Sequence, residues 1–145
     1  MNMNFFHIFS IWGQKSNDRS SLREARKRHA TGKAGEKKTA DYLRRRGMRI
    51  VQRNWKHRKG EIDLIAQDGT VLVFVEVRTR KAGALVSGVA TLSSRKKFIL
   101  RQTVNAYLQK LSIKPDHWRF DVSEVTYHPE EKRFLINYHE NVSFN

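Results

Sequence analysis

The sequence predicts an α/β domain: a mixed β-sheet begun by an antiparallel meander and flanked by helices. Three features predict it. The stretch GEIDLIAQDGTVLVFVEVRTR, from Gly60 to Arg80, alternates like a buried β-hairpin around an Asp68-Gly69 turn. Runs of helix-favouring residues lie on either side of it, over Lys33 to Arg46 and from Ser94 to about Lys110. Two further strand-like segments follow Pro115.

Taken in order, Met1 to Thr31 opens with an apolar dozen and then turns basic, with no sustained periodicity. It reads as a flexible extension, residues 1–31, with room for a short helix over Ser21 to His29. Its Phe5, Phe6, Ile8, Phe9, Ile11 and Trp12 suit a docking or membrane-surface segment, or a loosely packed terminus. The domain proper is residues 32–145. Gly47 stops the Lys33 to Arg46 helix, whose apolar stripe holds Ala40 and Leu43 and, four residues back, Glu36. A charge there is also what a helix N-terminal turn favours.

Met48 to about Trp55 is extended, and the hairpin follows. Val71, Val73, Val75 and Val77 share one face of its second strand; Leu72, Phe74, Glu76 and Arg78 share the other. A two-residue loop at Asp68-Gly69 sets Gln67 opposite Thr70, Asp63 opposite Phe74 and Glu61 opposite Glu76. Glu61, Asp63, Glu76 and Arg78 then gather on one surface, with Asp63 and Glu76 a diagonal pair about 7–8 Å apart. Lys81 to Ser93 reads as a loop beside them. Ser94 caps the second helix, striped by Leu100, Val104, Tyr107 and Leu111 and begun by Lys96, which is within reach of the acids or of a phosphate. Trp118 to Thr126 and Arg133 to Tyr138 are strands.

Composition narrows the function classes. With 145 residues and 39% hydrophobic side chains the chain suits one modest core. It has no cysteine, which excludes a disulfide framework, a thiolate metal site and a cysteine nucleophile, and suits a cytoplasmic location. No apolar run approaches a membrane span, and the opening residues lack a basic leader and cleavage site, so an unexported, soluble protein is expected. The formal charge is +15, and residues 1–59 hold 17 of the 29 basic side chains but 4 of the 14 acidic ones. A surface so cationic implies a polyanionic partner, with nucleic acid favoured over acidic lipid.

Carboxylates that converge inside an apolar hairpin cost stability unless a positive charge compensates them. Arg78 would do so in a purely structural ion-pair network. Alternatively the acids hold Mg²⁺ or Mn²⁺, hard cations that prefer carboxylate oxygen and that activate water at a phosphodiester. The histidines His57, His117, His128 and His139 have no metal-ligand spacing, Trp55 and Trp118 suit partial burial as well as base stacking, and no P-loop, dinucleotide fingerprint or nucleophile elbow is present.

An acid on an early helix, an Asp on one strand and Glu-x-Arg on its neighbour resemble the PD-(D/E)xK site of the restriction-endonuclease-like superfamily. More narrowly, Gly35-Glu36, Arg53-Asn54, GEIDLI from Gly60, VFVEVR from Val73, the basic helix start at Arg95 to Lys97, AYL at Ala106 and RFDV from Arg119 resemble the YraN family of small bacterial endonuclease-like proteins, over about Gly32 to Tyr127. The resemblance implies a restriction-endonuclease-like core and a Mg²⁺- or Mn²⁺-dependent DNA endonuclease, with Glu36, Asp63 and Glu76 as metal ligands and Arg78 completing the catalytic set. Lys37, Arg53, Arg80 and Lys96 are the nucleic-acid contacts expected around it. Ile62 stands where the motif's name has proline. Arg78 stands where nucleases usually place lysine, and arginine stays charged, so it stabilises charge without serving as a general base. Branched or structured DNA is the expected substrate, and cutting two strands with one site per chain suits a homodimer. The competing reading is a non-catalytic basic DNA- or RNA-binding module whose acids are structural.

Overall fold

The computed structural model describes the backbone of residues 6–83 and 92–144, with side chains from residue 19 onward in those segments. Its elements run α1 (Phe6–Arg45), β1 (Arg49–His57), β2 (Gly60–Asp68), β3 (Val71–Lys81), α2 (Ser94–Lys110), β4 (His117–His128) and β5 (Arg133–His139). The strands form one five-stranded sheet in the order β1-β2-β3-β4-β5, antiparallel throughout except for the parallel β3–β4 pair that α2 connects. The predicted α/β architecture with its opening meander is therefore the observed one.

The helices cover opposite faces. Under α1, Ala40, Leu43 and Met48 pack on Leu64, Ala66, Val73 and Val75. Beneath α2, Leu100, Val104 and Tyr107 pack on Trp55, Ile62, Ile65, Leu72, Phe74 and Phe120. At the C-terminus of α1, Gly47 takes the left-handed conformation (φ 87°), its N–H bonds to the Arg44 carbonyl and the Met48 N–H to the Leu43 carbonyl. These two bonds form a Schellman cap, and Met48 folds back against Leu43 in the same core.

Three sequence expectations change. Helix α1 begins at Phe6 instead of Lys33, and the Ser21 to His29 segment is continuous with it. Glu36 therefore lies far from the helix start, and a favourable helix dipole does not account for it. The α2 cap is Ser93, not Ser94: its Oγ accepts the Lys96 N–H at 3.2 Å. The hairpin turn is one step later than the Asp68-Gly69 signal indicates, with Asp68 paired to Val71 and Ile65 to Phe74. Because that register differs from the expected one by two residues, every side chain keeps its face.

Residues 84–91 of the predicted Lys81 to Ser93 loop, and the apolar side chains from Phe5 to Trp12, lie outside the described residues. Among the described residues, no helix is long and apolar enough to cross a membrane.

Candidate functional site

Alternation along β3 carries Leu72 and Phe74 into the core under α2, and the next residue on that face is Glu76, only 4% exposed. A carboxylate so deeply desolvated needs a partner. Lys96 supplies one, its Nζ 3.1 Å from Glu76 Oε1, with Arg78 Nη1 3.7 Å from the same oxygen. The Ser93 cap fixes the first turn of α2 and so aims Lys96 down at the sheet.

Asp63 sits where β2 leaves β3. The ladder between them ends at Leu64 and Val75, and Asp63 Oδ2 accepts the Val77 N–H at 2.7 Å, two residues further along β3. Ile62 and Ile65 both pack under α2, although residues three apart point to opposite faces of a regular strand. Alternation is therefore interrupted around Asp63, which places its carboxylate between the two layers. Burial pushes its carboxyl up to about 7, and Glu76 pushes it further the same way. The Val77 N–H opposes them, Glu36 adds to them and Lys96 lowers the value.

Glu36 reaches this edge from α1 and is held by β1: its Oε2 accepts a hydrogen bond from Asn54 Nδ2 at 2.8 Å. Asn54 takes a left-handed conformation (φ 47°), which asparagine tolerates better than most residues. Composition and periodicity gave Asn54 no role; its place beside Arg53 in the family-like Arg-Asn pair was the only signal.

The remaining expected residues are spread around this centre. Lys37 and Arg53 are exposed, on α1 and β1. Arg80 lies 3.8 Å from Glu124, which is buried on β4 opposite Arg78, with His139 Nε2 3.7 Å away on the other side. Glu124 was missed in the sequence, though it interrupts an apolar strand just as Glu76 does. Glu61, expected on the same surface as Asp63, pairs instead with Lys56 at 3.8 Å on the exposed side.

Among the described residues, no three acidic or histidine side chains stand close enough to grip one ion together. The acids form a coupled pair, Asp63 and Glu76, with a weaker influence from Glu36. Carboxylate oxygens are the donors that Mg²⁺ and Mn²⁺ prefer, and the upward shift of Asp63 measures an excess of negative charge that a cation relieves. In kind, the donor set fits a hard divalent ion.

A model of the uncharacterised protein family UPF0102 matches residues 35–125, a span that contains all the acids described above. The UPF0102 protein of Symbiobacterium thermophilum is 44% identical over 99 residues, 68% of this chain and 84% of that one. That of Dichelobacter nodosus is 48% identical over 95 residues, 66% and 75% of the two chains, and that of Alkaliphilus oremlandii 39% over 112 residues, 76% and 94%. The chain belongs to the uncharacterised protein family UPF0102, the YraN family whose pattern its GEIDLI and VFVEVR segments carry.

Proposed function

We propose that the protein is a Mg²⁺- or Mn²⁺-dependent DNA endonuclease that hydrolyses phosphodiester bonds in branched or otherwise structured DNA. One observation carries this reading. Acids from three separate elements, Glu36, Asp63 and Glu76, act on one another at the edge of a strongly basic chain, with a lysine and an arginine beside them. Asp63 and Glu76, with Glu36, are the residues that would hold the ion. When bound, the ion supplies Lewis-acid stabilisation of phosphate charge and lowers the pKa of a coordinated water.

The protein's own groups have separable roles. Lys96, two-fifths exposed above Glu76, is able to orient a water or a non-bridging phosphate oxygen. Arg78, permanently charged, stabilises the negative charge that builds on the phosphate as the water oxygen bonds to phosphorus and the ester P–O bond breaks. Lys37 and Arg53, exposed on either side of the acids, suit backbone contacts. A homodimer would present two such sites to two strands.

A second reading, a nucleic-acid-binding module without catalysis, is favoured by one fact: Lys96 and Arg78 already neutralise Glu76. The test is cleavage of plasmid, single-stranded and four-way-junction DNA with Mg²⁺, Mn²⁺ or EDTA, comparing wild type with Asp63→Asn/Glu76→Gln. Metal-dependent cutting by wild type alone is expected. Equal DNA binding by both proteins with no cutting of any substrate overturns the enzymatic reading in favour of the binding module.

A further inference from the structure

Upstream of its packed turns, α1 runs past the sheet near the C-terminal end of β3, and between the two lies a cleft of about 520 Å³ that the acid cluster does not use. Lys27 and Arg28 line it from α1, Arg80 and Lys81 from β3, and Thr79 adds a hydroxyl-bearing wall. Glu24 is the one acid in the lining. Four cations against one carboxylate around a concave space is costly through mutual repulsion unless an anion enters. Lys27, Arg28 and Lys81 are exposed and able to meet one, while Arg80 is steadied by Glu124.

The cleft's position identifies the anion. Arg80 follows Glu76 and Arg78 on the same face of β3, four residues beyond Glu76, which at about 3.3 Å per residue is roughly 13 Å. A nucleic-acid strand advances about 3.4 Å per nucleotide, so this span corresponds to about four nucleotides. Outward from the cleft, the exposed basic run of α1 continues through Arg26 and Arg23 to Arg19. A small free anion would need only the cleft. A line of cations leading both to and away from it matches an extended phosphate backbone.

We propose that this cleft binds a backbone phosphate of the nucleic acid about four nucleotides from the acid cluster, and so sets where along the strand the cluster acts. The proposal rests on the nucleic-acid reading above for the identity of its ligand. Its test uses the full chain carrying Asp63→Asn, so that no cutting occurs, with anisotropy of a labelled DNA duplex measured across salt concentrations in EDTA. Adding Lys27→Ala, Arg28→Ala and Lys81→Ala should weaken binding at least tenfold at moderate salt and flatten the log–log salt slope by about 2, since each lost phosphate contact removes about 0.9. Glu24→Gln should do the reverse, tightening binding. Arg101→Ala, Lys110→Ala and Arg133→Ala together, far from the cleft, should change the slope by less than half as much. An unchanged slope in the cleft variant, or an equal loss in the remote one, overturns the cleft while leaving nucleic-acid binding intact. Absence of any binding by the parent protein overturns both readings.

Discussion

Lys96 Nζ lies 3.1 Å from Glu76 Oε1, closer than Arg78 on the acid's own strand at 3.7 Å. A lysine thus reaches the acid cluster from α2, although β3 offers only arginine at the expected position. Replacing it by methionine, which keeps the stem and removes the charge, leaves a buried carboxylate with one distant partner. Lys96→Met should cost about 1–2 kcal/mol in urea unfolding, below the value for a fully buried pair because Lys96 is partly exposed. Adding Glu76→Gln should restore most of that loss, and a double-mutant cycle over the four proteins measures the coupling. For cleavage, Lys96→Met is expected to lower kcat by about 100-fold, the usual scale of one positioned proton-transfer or orienting group.

Asp63 makes stability depend on pH in an unusual direction. Its carboxyl rises from an ordinary value of 3.8 to about 7 in the folded protein, through burial first and Glu76 second. The folded state therefore holds a proton that the unfolded chain releases between those values, and stability contributed by this group falls as pH rises from about 4 to 7. Above that window the full penalty of the buried charge is present. Asp63→Asn removes the titration and keeps an oxygen for the Val77 N–H. In EDTA its Tm should exceed that of wild type by roughly 5 °C at about pH 8, corresponding to about 2 kcal/mol, and the advantage should vanish on acidification to about pH 4. A constant difference across that range would mean that the aspartate is not the titrating group.

The same excess charge predicts a metal effect that needs no catalysis. An ion that binds only the folded protein raises its stability by about 2.7 kcal/mol at a concentration 100 times Kd. Mn²⁺ or Mg²⁺ should therefore raise the Tm of wild type above about pH 7, more than Ca-free, EDTA-treated controls allow. Asp63→Asn/Glu76→Gln should lose this shift, and Glu36→Gln should reduce it in part, because Glu36 acts on Asp63 more weakly than Glu76 does. Identical shifts in wild type and the double variant would place the ion elsewhere.

How much of this is written in the sequence varies with what each residue touches. The faces of β3 were legible because alternate burial is a direct consequence of the pleat, and they survived a register off by two residues. The register itself was not legible: Asp68-Gly69 and Gly69-Thr70 both make acceptable turns, and the choice depends on pairing along the whole ladder. Helix α1 was underestimated because residues 19–30 are exposed all round, so no apolar stripe marks them. Lys96 was placed within reach of the acids by its position on the α2 stripe. The Glu36–Asn54 hydrogen bond joins a helix to a strand edge, and no local pattern in the sequence encodes such a contact.

Gly35 explains how Glu36 comes to the site at all. Here α1 crosses β3 so closely that a Cβ on Gly35 would fall 2.0 Å from Thr79 Oγ1 and 3.1 Å from Thr79 Cβ and Cγ2. The neighbouring contact is equally specific: Thr39, one turn on, shares a buried hydrogen bond of 2.8 Å with Ser123 of β4. Together they set the height of α1 above the sheet, and with it the reach of the Glu36 carboxylate. Gly35→Ala must push the helix outward or twist Thr79 aside, at a cost of about 1–3 kcal/mol typical of overpacking. Thr79→Ala removes the atoms at 2.0 Å and one of those at 3.1 Å, so Gly35→Ala/Thr79→Ala should recover more than half of the lost stability in a denaturant cycle. If lifting the helix also withdraws Glu36, the Gly35→Ala protein should show a smaller Mn²⁺-induced rise in Tm than wild type, and the double variant should regain it. Recovery of stability without recovery of the metal response would separate the packing role of Gly35 from the positioning of Glu36.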